Sequence, residues 1–130
     1  MKDLLIILGK SVSGVSLGDS EQQVLAKLGE PKARTKTEVG WYILDYGILK
    51  VWIDPDKVEQ IGSYKGYVGK TEDGIGIGTT RDELKRKSGL DIAYHKDDDY
   101  WEFISKPGTL FEFGKDEKGG EIINTIYIAT

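Results

Sequence analysis

Apolar positions in this chain fall into short runs divided by glycines and charges, and in two places the pattern shifts from a strand-like to a helical period. Val24, Leu25 and Leu28 form a stripe at helical spacing, which predicts a helix over about 21–28. Ser20, with Gln23 three residues on, has the pattern of a capping box, and Gly29 and Pro31 supply the stop. Thr80, Glu83 and Gly89 occupy the same relative positions sixty residues later, predicting a second helix over about 81–88 with Leu84 as its one firm apolar anchor. Gly9, Lys10, Gly14, Gly18, Lys27 and Gly29 all recur at that offset, so the chain reads as two related units. Helices this short are marginal alone in water, so each must lean on a sheet.

Residues 4–8 are a continuous apolar run, read as an N-terminal strand buried on both faces. Residues 30–39 are polar and read as a connector. Residues 41–46 and 48–53 form a predicted antiparallel hairpin, with a third strand over 58–64. In the second unit, 100–104 and 109–113 form the hairpin and 122–128 a closing strand. The expected fold is therefore α+β: two tandem helix-plus-antiparallel-hairpin units sharing one sheet, with both helices on one face. The units span about 9–68 and 69–130 of a single domain over 1–130.

The segment Leu17-Gly18-Asp19-Ser20, then Val24, then Leu28-Gly29-Glu30-Pro31, followed by an aromatic hairpin, resembles the beta-lactamase-inhibitor-protein-like units. Such a unit is also seen singly in the small lipoprotein of the outer-membrane assembly machinery. The resemblance implies a helical segment followed by antiparallel strands, and a sheet surface commonly used to bind another protein. The inhibitor's stabilising cysteines and the lipoprotein's lipidated cysteine are absent, so neither beta-lactamase inhibition nor membrane anchoring carries over.

The net charge is −4 with both signs interspersed, which argues against a nucleic-acid footprint. The chain has no cysteine, so there is no disulfide framework and no thiolate chemistry; this fits a reducing compartment, and the expected location is the cytoplasm unless a leader was removed. Its apolar runs are too short to cross a membrane. Gly9-Lys10-Ser11 and Gly69-Lys70-Thr71 look like the end of a phosphate-binding loop, but Leu4 and Tyr64 stand where that loop needs a further glycine. His95 with Asp97, Asp98 and Asp99 could catch a hard cation, although the ligand spacing of a calcium loop is missing. The sequence shows no nucleophile–base pattern, and no catalysis, cofactor or metal is expected.

The first hairpin carries the functional expectation. If Trp41, Ile43, Val51 and Ile53 face the helices, then Tyr42, Leu44, Tyr46 and Trp52 lie on the opposite face, joined by Tyr100 from the second hairpin. An aromatic face where a solvated sheet should be polar suggests a non-catalytic protein-binding module, inhibitor- or immunity-like. The alternatives are a self-associating structural domain that hides the same face in a homodimer, a ligand or metal domain using residues 95–99, or coverage of the aromatics by the chain's own N-terminal strand or connector. A slip of one residue in register would exchange the two faces.

Overall fold

The computed structural model describes residues 4–89 and 91–130. Three two-residue strands, β1 (Ile6–Ile7), β2 (Ser11–Val12) and β3 (Val15–Ser16), pair in that order as a small antiparallel sheet. Helix α1 (Glu21–Leu28) follows, then β4 (Ala33–Lys36), β5 (Tyr42–Asp45), β6 (Leu49–Ile53) and β7 (Val58–Ser63). After α2 (Arg81–Ser88) come β8 (Ile92–His95), β9 (Tyr100–Phe103), β10 (Thr109–Lys115) and β11 (Glu121–Ala129). These last eight strands form one antiparallel sheet in the order β4-β5-β6-β7-β11-β10-β9-β8. The final strand of each run meets the other at the centre, through Ile61↔Ile128 and Ser63↔Ile126.

This architecture overturns the expected α+β arrangement of two helix-plus-hairpin units. The described residues form eleven strands in two antiparallel sheets and only two helices, a β-rich fold in which a four-stranded meander follows each helix. The connector expected over 30–39 contains β4, and a further strand, β8, precedes the second hairpin. Both are edge strands of the large sheet, and β4 (Ala-Arg-Thr-Lys) is exposed at every position. An edge strand pairs on one side only and is commonly charged, so it lacks the apolar alternation that reveals inner strands. The N-terminal run also differs: Ile6 is buried but Ile7 is 41% exposed, so the strand is buried on one face rather than two.

Local chemistry sets the helices. The Ser20 hydroxyl accepts from the Gln23 amide at 3.1 Å while the Gln23 side chain accepts from the Ser20 amide at 2.8 Å. Thr80 and Glu83 make the same reciprocal pair, at 3.1 Å each way. Both caps are stitched to the large sheet alike. Gly18 N–H donates to Val58 O at 2.9 Å and Val58 N–H to Asp19 O at 2.7 Å; Gly78 and Thr79 exchange the corresponding pair with Ile123, both at 2.8 Å. Lys27 reaches back to the Gly14 carbonyl at 2.8 Å, and Lys87 to that of Gly74 at 3.3 Å.

The core lies between the large sheet and the layer made by both helices and the small sheet. Val24 and Leu84 are fully buried, with Leu44, Val51, Ile61, Phe111, Ile123 and Ile126 beneath them. The Gly-Lys pairs have structural partners here. Lys70 O accepts from Ile6 N–H at 3.0 Å, and a Cβ on Gly69 would fall 1.9 Å from Leu4 O, so glycine lets the N-terminal backbone pass.

Candidate protein-binding face

Residues directly opposite each other in antiparallel strands project to the same face, so the pairing register sorts the large sheet into two sides. One side is the core face, where Leu44, Val51, Ile61 and Ile128 are successive partners, all at 0% exposure. The helices reach this side. Arg81 of α2 lies over the rings of Trp101 and Phe113, at 5.3 and 5.1 Å, and Trp101 is the partner of buried Phe111.

The other side carries a row that crosses all eight strands: Ala33, Asp45, Lys50, Gly62, Tyr127, Leu110, Glu102 and Ala93. Beside it runs a second row, Thr35, Ile43, Trp52, Gln60 and Ala129. Three aromatics assemble at the centre. Tyr127 meets Trp52 edge-on with centroids 6.1 Å apart, and Tyr64 at 6.0 Å. Gly62 leaves a gap in the row that the Tyr64 ring occupies, and Lys50 Nζ stands 5.3 Å from that ring's centroid. The Tyr64 phenol is held well above its ordinary pKa, first by burial and then by its hydrogen bond to the Tyr127 hydroxyl. Trp52, Tyr64, Leu110 and Tyr127 are all partly exposed, a state in which aromatic surface is available to a partner.

The flank of this face is acidic and ordered. One Glu102 oxygen lies 3.0 Å from His95 Nε2 while the other accepts from the Gly108 amide at 2.9 Å, and His95 stacks on Tyr100 at 4.5 Å. Asp99 is taken up elsewhere. It accepts from the Tyr94 hydroxyl at 2.8 Å, which raises the Tyr94 pKa, and Tyr94 projects to the core side as the partner of Trp101. His95 and Asp99 thus diverge, and among the described residues no three His, Cys, Asp or Glu side chains converge for a metal ion.

Of the five residues expected on the exposed face, the structure places Trp52 and Tyr100 there and moves the other three. Leu44 is fully buried in the core. Tyr42 is the partner of Ile53, so it shares the core side; it lies under Arg34 at 3.7 Å, and Arg34 forms a two-pronged pair with Glu21 of α1 at 2.9 Å. Tyr46 donates its hydroxyl to Gly29 O at the end of α1, at 2.8 Å. The cause is register: Ile43 pairs with Trp52 and Leu44 with Val51, so Ile43, expected against the helices, occupies the exposed side. Reasoning from the first hairpin also missed Tyr127 and Tyr64. The alternation Ile126-Tyr127-Ile128, an aromatic between two buried isoleucines, is the signal that could have found Tyr127.

No family model matches this chain, and no curated protein matches it. Two solved structures resemble it. One is the uncharacterized protein YfeY from Escherichia coli, with a TM-score of 0.58 at 10% identity over 100% of both chains. The other is an extracellular protein containing an SCP domain from Bacillus anthracis, with a TM-score of 0.55 at 15% identity over 99% of this chain and 50% of that one. At such identities the likeness is one of fold. No helix among the described residues is long and apolar enough to cross a membrane.

Proposed function

We propose that this chain is a non-catalytic protein-binding module that engages its partner through the side of the large sheet opposite the helices. The observation that carries the reading is the Trp52–Tyr127–Tyr64 cluster, which stands on the face away from the helices and the buried core. Large, rotor-poor aromatics at the centre of a surface, with polar groups around them, match the anatomy of binding hot spots. Ile43, Leu110 and Tyr100 extend the surface along both flanks. The resemblance to the beta-lactamase-inhibitor-protein-like units supports the same use of a sheet face, in an inhibitor- or immunity-like role. The cytoplasmic assignment rests on the absence of cysteine alone.

The test is a double variant, Trp52→Ala with Tyr127→Ala, first shown by circular dichroism and thermal melting to be folded. A protein that crosslinks to the wild type from source lysate and is lost with the variant supports the reading. Equal capture by both proteins overturns it. Leu44→Ala serves as the control: it disturbs the core and leaves the surface residues in place.

A further inference from the structure

The central row of this face is self-complementary, and we infer that its resting occupant is a second copy of the chain, packed face to face about a two-fold axis running along β11. The inference rests on the binding-face reading above and names a partner for it. The geometry follows from the strand order. Counting outward from Tyr127 in β11, Gly62 and Leu110 stand one strand away on opposite sides, and Lys50 and Glu102 two strands away on opposite sides.

A two-fold axis parallel to the strands, lying between two facing sheets, sets each position over its counterpart across β11. Lys50 then faces the partner's Glu102, and the partner's Lys50 faces Glu102, giving two opposite-charge pairs per dimer. Leu110 meets the ring-covered gap at the partner's Gly62, and Tyr127 meets the partner's Tyr127. Asp45, three strands out, faces only the partner's Ala93. Turning the axis across the strands instead would set Lys50 on the partner's Lys50 and Glu102 on the partner's Glu102, so charge selects the first arrangement. Glu102 is already oriented, by His95 at 3.0 Å and the Gly108 amide at 2.9 Å. The contact runs from β5 to β8, six strand spacings or about 29 Å at ~4.8 Å per strand. Aligned packing of two sheets, as in a β-sandwich, accommodates such a contact.

The experiment is sedimentation velocity over a concentration series, on wild type, Lys50→Glu, Glu102→Lys, the double variant, and an equimolar mixture of the two singles. We expect the wild type to dimerise and each single variant to associate at least tenfold more weakly. The double variant and the mixture should recover, because a mixed dimer pairs the introduced carboxylate with the introduced ammonium and keeps one native pair. Melting curves establish that each protein is folded; if Glu102→Lys is not, Lys50→Glu alone must weaken association. A wild type that stays monomeric overturns the second copy, and so does a dimer indifferent to both charge changes. Neither result touches the binding-face reading, which falls only if the Trp52/Tyr127 variant captures as the wild type does.

Discussion

The Tyr64 ring lies across Gly62: a Cβ at residue 62 would fall 2.6 Å from the Tyr64 hydroxyl oxygen and 3.0 Å from two of its ring carbons. The backbone there is ordinary strand, so the constraint on residue 62 is the ring and not the chain conformation. Gly62→Ala should destabilise by about 1–3 kcal/mol through overpacking. Tyr64→Ala in the same chain should remove most of that cost, a non-additivity that urea titrations of the two single variants and the double would read. Additive effects would mean that the ring does not rest on Gly62 in solution.

Leu44 and Trp52 lie on adjacent strands but on opposite sides of the sheet, and their truncations should separate accordingly. Leu44→Ala removes a fully buried side chain and should cost about 2–5 kcal/mol in unfolding experiments. Trp52→Ala should cost less stability, because its ring is already partly exposed, and should act mainly on association. A Leu44→Ala cost as small as that of Trp52→Ala would return Leu44 to the exposed face expected from the first hairpin.

Each helix hangs on one cap. Ser20→Ala and Thr80→Ala each remove an acceptor for the third-residue amide and should destabilise by about 1 kcal/mol apiece. The two caps share no partner, so the double variant should show the sum to within about 0.5 kcal/mol by thermal or urea unfolding.

Two groups give the stability curve a pH signature. Burial raises the pKa of Asp19, but the Lys27 ammonium at 2.8 Å and the Ser16 amide at 2.9 Å outweigh it and hold the carboxyl below its ordinary value. A lowered folded-state pKa stabilises above the unfolded value of about 4, and that contribution is lost as pH falls through the folded value. Lys27 is largely solvated, so the effect should stay below about 1 kcal/mol, and Asp19→Asn should flatten the acid limb of the stability curve by that amount.

Tyr64 works in the opposite direction. Its raised pKa stabilises the fold below the unfolded tyrosine value of about 10, and the contribution is lost as pH climbs above it. Absorbance near 295 nm should show tyrosine that ionises only as the protein unfolds in alkali, and Tyr64→Phe should reduce that signal. A full complement of tyrosinates in folded protein would contradict the buried phenol.

What the sequence determined by itself is the set of features closed within a few residues. Ser20 with Gln23 and Thr80 with Glu83 announced both caps, because a cap joins groups three residues apart and needs no partner strand. The inner strands were legible from their apolar runs. Edge strands β4 and β8 were not, since a strand paired on one side has no core pattern to display.

Only the tertiary structure decided which side chains face outward. Val51 and Phe111 stand sixty residues apart and both point to the core, yet their cross-strand partners, Leu44 and Trp101, stand fifty-seven apart. Carrying the sixty-residue correspondence onto β5 therefore slips it by three, an odd number, and exchanges every side chain between the faces. Side chains alternate with a period of two, so a local stretch reads equally well either way round. Pairing with β6 breaks that tie, placing Leu44 inside and Ile43 beside Trp52.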